Sequence, residues 1–257
     1  CSRQNQNDQT MKYGFHIGIN YTGSAYQLGG CENDAREMRN RARAGLKSYY
    51  VNQFYTATPV CSADFLLNAI AGFARSMKKS DTLYLTFSGH GTQIPGGEAD
   101  GMQEGICLWT GSRIQVVKDS DLRAQLQKIP GTVVCIFDSC FSGGMERDVQ
   151  QPGKRAKCLT YDPEHMEVFN VPQSKDAAQV SGNRLYYLLA CSENEVSWDT
   201  GTAGLFTESF CRVYDHYELT PGYRLVRSLM RQTAELCNPN QTPVLKIVSG
   251  NGSKRLF

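Results

Sequence analysis

Residues 132–144 read TVVCIFDSCFSGG. The run from Thr132 to Asp138 is rich in β-branched residues and predicts a strand. It is apolar almost throughout, without polar alternation, so it is covered on both faces, as strands of parallel sheets between helices are. Cys135 sits inside the run, where a free cysteine behaves as a small hydrophobe. Cys140 falls just beyond its end, between Asp138 and a Gly-Gly pair. A thiol placed there is exposed to a neighbouring loop in a way that Cys135 is not.

Working outward, the same alternation recurs. KYGFHIGI (12–19), YVNQFYT (50–56), DTLYLTFS (81–88), RLYYLLAC (184–191) and TPVLKIVSG (242–250) read as strands. Helical spacing covers 33–46, 63–77, 119–128, 204–217 and 222–237. Asp34 followed by Glu37 fits a capping box at the first of these. GHGTQIPGG after the strand at 81–88 reads as a loop. Residues 142–183 turn polar and lose periodicity, a long connection of the kind that is functional or mobile. Strands alternating with helices predict an α/β layered fold with a mostly parallel sheet. Residues 1–11 read as a polar tail and 12–257 as one domain.

The chain has 257 residues, 40% hydrophobic and 20% charged, with net charge +2. That balance gives no nucleic-acid footprint. No run is long enough for a membrane span. Ten cysteines are spread without CxxC or zinc spacing, so free thiols in a reducing, cytoplasmic setting are expected. Cys1 also fits the lipidated residue of a mature lipoprotein, or simply a processed end.

Sites in parallel sheets gather beyond the carboxyl ends of strands. Two strand-end segments stand out, SGHG (88–91) and DSCFSGG (138–144). His90 is flanked by glycines, which permit close backbone approach. A nucleophilic thiol needs a base within reach, and His90 can supply it to Cys140 across one strand–helix–strand crossover. The backbone N–H groups of Gly91 and Cys140 would then form an oxyanion hole. Spacing alone leaves open that these are unrelated loop residues.

YLTFSGHG (84–91) and CIFDSCFSGG (135–144) resemble the His and Cys motifs of the caspase-like cysteine peptidases, and most of all the metacaspases, particularly their prokaryotic type I-like members. GINYTGSAYQLGGCENDA (18–35), ACSENEVSWD (190–199) and GLFTESF (204–210) are similar to further segments of that group. The resemblance implies a caspase-type three-layer α/β/α sandwich. It implies a cysteine endopeptidase with Cys140 as nucleophile and His90 as general acid/base, acting on peptides or proteins with Arg or Lys before the cut. Asp34 and Asp138, with Cys31 and Ser88 as lining, match the acidic primary specificity pocket, where carboxylates pair with a guanidinium. No cofactor is implied for the chemistry. Calcium activation is implied for many members, and Asp119, Ser120 and Asp121 are the positions that match; the other reading of these three is an N-capped short helix.

Two departures stand out. Phe141 replaces a histidine common in the group, and the acidic loop after the catalytic His shrinks to EADGMQEG (98–105). The connection 142–183 carries Arg147, Lys154, Arg155 and Lys157, any of which a protease selective for basic residues can cut in itself. The competing readings are a catalytically silent caspase-fold scaffold, a serine hydrolase, which lacks a G-x-S-x-G elbow, and a thiol-transfer protein using Cys135 and Cys140.

Overall fold

The computed structural model describes residues 10–46, 50–56, 60–96, 101–140, 151–171, 183–193, 195–216, 225–251, 254 and 256. The chain opens with β1 (Lys12–Gly18), α1 (Cys31–Leu46), β2 (Tyr50–Thr56), α2 (Ala63–Ser76) and β3 (Thr82–Ser88). Next come β4 (Gly91–Pro95), β5 (Met102–Trp109), β6 (Ile114–Lys118), α3 (Asp119–Leu126) and β7 (Thr132–Asp138). Three short strands follow, β8 (Arg155–Ala156), β9 (Cys158–Thr160) and β10 (Met166–Val168). The rest is β11 (Arg184–Leu189), β12 (Trp198–Asp199), α4 (Leu205–His216), α5 (Val226–Cys237) and β13 (Val244–Ser249).

The main sheet has the order β13-β11-β7-β3-β1-β2. All its pairings are parallel except that of β13, which runs antiparallel to β11 at one edge. The period of two sorts the side chains of each strand onto two cores. Val133, Cys135 and Phe137 join Leu66, Phe73 and Leu122 of α2 and α3. Val134 and Ile136 face Met38 of α1, Phe210 of α4 and Leu229 of α5. Each fully buried aliphatic or aromatic side chain contributes about 1.5–3 kcal/mol, so the unbroken apolar strands require helices on both faces. The α/β sandwich expected from the sequence is the observed one.

Three local expectations change. The helix expected from 33 begins at Cys31, and Asp34 does not cap it. The first-turn amides of Cys31 and Glu32 instead donate to Asn20 Oδ1, at 2.9 and 3.3 Å, a cap from eleven residues upstream that a local motif search cannot see. The loop expected after His90 is a strand from Gly91, the start of a second sheet ordered β10-β6-β5-β4-β9. The connection expected over 142–183 is not structureless, because β8, β9 and β10 lie in it and draw their hydrogen bonds from distant strands. Cys1, Phe141 and Arg147 lie outside the described residues.

Candidate active site

Strands β3 and β7 are adjacent and in register, with Ser88 opposite Asp138. His90 and Cys140 each lie two residues beyond that pair. The Gly89 N–H donates to the Asp138 carbonyl at 3.3 Å, carrying the pairing one step further. Register in the sheet thus brings the two expected catalytic residues to one edge. Gly91 matters sterically: a Cβ there would sit 1.8 Å from the Cys140 carbonyl oxygen.

His90 is buried and its environment defines its tautomer. Nε2 lies 2.8 Å from the Tyr26 carbonyl, which can only accept, so Nε2 carries the proton and Nδ1 holds a lone pair. That Nδ1 is buried with no hydrogen-bond partner. Burial pushes the His90 pKa down to about 4, opposed by the Tyr26 carbonyl, so the ring is a neutral base at pH 7. Tyr21, a residue the sequence reading did not single out, holds it there. Its hydroxyl accepts from the His90 N–H at 2.9 Å, donates to the Cys107 carbonyl at 2.6 Å, and its ring lies 4.7 Å from the imidazole. The Cys140 thiol donates to the Glu195 carbonyl at 3.2 Å.

Asp34, Ser88, Asp138 and Cys31 are buried together beneath these residues. The Asp34 carboxylate accepts from the Gly204 N–H at 2.9 Å and from Ser88 Oγ at 2.6 Å. Asp138 accepts from Ser197 Oγ, Thr207 N–H and Thr207 Oγ1, at 2.7, 2.9 and 2.7 Å. Asp199, also outside the sequence-derived set, receives the Gly29 N–H at 2.7 Å and the Gly30 N–H at 3.2 Å, and so fixes the loop that enters α1.

The pocket these residues make is filled by Lys157. Its ammonium lies 3.1 Å from Asp34 Oδ2, 3.0 Å from Asp138 Oδ1 and 2.9 Å from Ser88 Oγ, with no exposed surface. Burial alone would depress the Lys157 pKa, but Asp138 and Asp34 outweigh it and hold the ammonium protonated. The backbone of the same residue is placed as specifically. The Lys157 carbonyl accepts from the Gly91 N–H at 3.0 Å and from the Cys140 N–H at 3.2 Å. Its N–H donates to the Ser197 carbonyl at 2.8 Å, and the preceding β8 pairs antiparallel with β12. An extended segment that adds to a sheet edge and sends one side chain into a pocket is how peptides bind by strand addition.

Burial pushes the Asp34 carboxyl up to about 6, with Lys157 opposing and Asp138 adding to the shift. A raised carboxyl is protonated, and its charge lost, as pH falls through that value. The hold of Asp34 on the Lys157 ammonium is therefore expected to weaken as pH drops below about 6. His90, neutral down to about 4, does not produce this change. A Cys140→Ala chain whose Lys157 segment is equally resistant to limited proteolysis between about pH 5 and pH 8 contradicts this role of Asp34.

The residues matched to calcium lie in the first turn of α3. Asp119 and Ser120 do not cap α3, whose cap residue Lys118 makes no side-chain cap bond. Asp121 pairs with Lys118 at 3.5 Å, and Ser120 Oγ accepts from Gln103 at 2.8 Å. Asp119 Oδ1 is buried without a partner, so one of the three offers a ready ligand oxygen.

A family model, the caspase domain, matches residues 13–250. The chain belongs to the caspase-domain family. Metacaspase-6 of Arabidopsis thaliana is 30% identical to it over 151 residues, 55% of this chain and 41% of that protein. Metacaspase-1 of Kluyveromyces lactis is 33% identical over 139 residues, 49% of this chain and 32% of its own length. The chain thus spans less than half the length of these curated relatives. A solved protein of Geobacter sulfurreducens superposes with a TM-score of 0.71 at 24% identity, covering 95% of this chain and 97% of that one. Caspase-1 of Spodoptera frugiperda gives 0.55 at 12% identity, covering 92% and 85%. The two solved structures speak to fold, and the metacaspases to a metacaspase-like cysteine peptidase family. None of these comparisons shows the expected closeness to prokaryotic members.

Proposed function

We propose that this caspase domain is a cysteine endopeptidase that cuts after Arg or Lys through Cys140 and His90, and that its first substrate is its own Lys157–Cys158 bond. The observation that carries the reading is Lys157, whose ammonium lies between Asp34 and Asp138 while its carbonyl accepts from Gly91 and Cys140. Each half supports a different part of the proposal: the ammonium speaks to specificity, the carbonyl to an oxyanion hole.

The chemistry follows from these positions. The Cys140 thiol turns from the Glu195 carbonyl and gives its proton to His90 Nδ1. The thiolate attacks the Lys157 carbonyl carbon, and negative charge develops on the oxygen held by the two backbone N–H groups. His90 returns the proton to the Cys158 nitrogen as the peptide bond breaks. A thioester then joins Cys140 to Lys157, and water activated by His90 hydrolyses it, releasing the Lys157 carboxylate and the thiol. Until Lys157 leaves, the pocket is closed to other substrates. The reducing setting we propose fits the nine described cysteines, all free thiols. Among the described residues no helix is long and apolar enough to cross a membrane.

We also propose calcium as an activator only, with Asp119 supplying its anchoring carboxylate. Binding would require the Lys118–Asp121 pair to open before Asp121 joined, and no catalytic step passes through the ion.

Fluorogenic peptides ending in Arg, Lys or Asp, offered with and without calcium to wild type and Cys140→Ala, test the reading. Arg and Lys peptides are expected to be cleaved by the wild type alone, with Asp peptides at least about a hundredfold slower, because like charges face each other in the pocket. Cleavage after Asp at a rate comparable to that after Arg overturns the pocket assignment. No cleavage in any condition favours the silent caspase-fold scaffold.

A further inference from the structure

Cys140 has a second partner besides His90. Cys191 lies two residues beyond the end of β11, as Cys140 lies two beyond β7, and the two strands pair in parallel with Leu189 opposite Phe137. The pairing continues past both strands, since the Ala190 N–H donates to the Phe137 carbonyl at 3.0 Å. The two thiols converge on one acceptor, the Glu195 carbonyl, at 3.2 Å from Cys140 Sγ and 3.4 Å from Cys191 Sγ. Both are buried in a small cluster with Val196 and Trp198. The acceptor is anchored: the Glu195 carboxylate takes the Thr242 N–H and Thr242 Oγ1, each at 2.8 Å, and the Ser192 N–H at 3.3 Å.

The register that pairs Leu189 with Phe137 sets Cys191 opposite Ser139, one residue from Cys140; a strand spacing of about 4.7–4.9 Å with a rise of about 3.3 Å per residue puts such a diagonal pair at about 6 Å, inside the Cα separation of roughly 4.4–6.8 Å that a disulfide spans. Cys191 takes no part in the peptidase steps above. It sits beside a thiol that His90 can deprotonate, and thiolate character with an adjacent second cysteine is the setting of a redox-sensitive pair.

We propose that Cys140 and Cys191 form a reversible disulfide in response to hydroperoxides, with Cys191 as the resolving thiol. The Cys140 thiolate attacks the terminal oxygen of the hydroperoxide, the O–O bond breaks, and the products are a sulfenic acid on Cys140 and an alcohol, or water from hydrogen peroxide. The Cys191 sulfur then displaces the hydroxyl from Cys140, releasing a second water. The two sulfurs give up two electrons and the peroxide takes them. A reductant such as dithiothreitol reverses the bond. The disulfide removes the nucleophile while protecting it from irreversible oxidation to sulfinic acid. Transient disulfides of this kind are the ones found in reducing compartments.

Cys140 has no exposed surface, and Ala156 and Cys158, on either side of Lys157, pack against its cluster. The departure of that segment, the event that admits substrate, is therefore also what admits the oxidant. Cys158 is the competing partner, because it packs against the same cluster. The proposal rests on the reading of Cys140 as an activated thiol, but its test does not depend on peptidase activity.

The purified protein, whether or not it has cut itself, is treated with hydrogen peroxide, alkylated, and digested without reduction for peptide mapping by mass spectrometry. The expected product is a Cys140–Cys191 cross-link two hydrogens lighter than the separate peptides. Cleavage of Arg peptides is lost with the same dose dependence and returns with dithiothreitol. In Cys191→Ser and Cys191→Ala, peroxide inactivation is expected to become irreversible, with sulfinic acid at Cys140. Absence of the cross-link in wild type, a Cys140–Cys158 link instead, or full recovery of the Cys191 variants overturns the proposal. If untreated protein cleaves no peptide, the peptidase reading fails while the cross-link still decides this one.

Discussion

Wild-type chain is expected to yield fragments 1–157 and 158–257, whereas Cys140→Ala and Lys157→Met stay intact at that bond. Removing the nucleophile of a catalytic unit takes about 10⁶ from the rate, so Cys140→Ala should show no cut at all. Lys157→Met keeps length and stem but puts an apolar tip between two buried carboxylates, and a cut slower by about a hundredfold or more is expected from the lost charge-assisted bonds. Lys157→Arg should restore it, because a guanidinium satisfies the same carboxylates. The neighbouring basic residues are the decisive controls. Lys154 is engaged by Gln151 and Asn240 at 3.0 and 2.8 Å, and Arg155 Nη1 donates to the Gln27 carbonyl at 2.6 Å. Neither enters the pocket, so Lys154→Met and Arg155→Met should be cut like wild type. Denaturing gels and N-terminal sequencing at Cys158 read the result. Fragments ending at Lys154 or Arg155, or an undiminished cut in Lys157→Met, would sink the assignment.

Asp34→Asn is expected to lower kcat/KM for Arg and Lys peptides by roughly two to three orders of magnitude, since breaking a buried ion pair costs about 3–5 kcal/mol. Asn is chosen because the fold tolerates it at 34 better than at 138. Ser88, whose hydroxyl donates to Asp34, can rotate and accept instead. Asp138 is surrounded by donors from Ser197, Thr207 and Lys157, so an amide NH₂ there faces further donors and threatens the fold. Thermal melting separates the two effects. A folded Asp34→Asn protein that cleaves Arg peptides as well as wild type removes Asp34 from specificity. The same substitution should abolish the pH dependence near 6 of the Lys157 segment attributed to this carboxyl.

The strands were legible because an unbroken apolar run such as 132–138 has one stable use, a sheet buried on both faces. His90 and Cys140 were legible because each directly follows such a run in glycine-rich surroundings. Asp34 was singled out by resemblance as a pocket residue, and its other reading as a helix cap failed, since its neighbours in space, Ser88, Gly204 and Lys157, are far from it in sequence. Tyr21 and Asp199 were missed for the same reason: both act through backbone groups, and an N–H or carbonyl leaves no mark in a sequence. The signal for Tyr21 was present in GINYTG, yet a tyrosine after a strand reads as packing until its hydroxyl is placed.

The sequence by itself determined the layered α/β architecture and singled out the two strand ends at which His90 and Cys140 stand and the acidic residues proposed for the pocket, because these depend on periodicity, side-chain type and resemblance. It could not choose among Arg147, Lys154, Arg155 and Lys157, which share charge and flexibility in one polar segment. Tertiary structure decided for Lys157 among the described residues. The β8–β12 pairing sets the register of the segment against the active edge, and with a period of two a shift by one residue would turn the side chain out of the pocket. That register is fixed by backbone hydrogen bonds to residues about forty positions away, which no local pattern encodes.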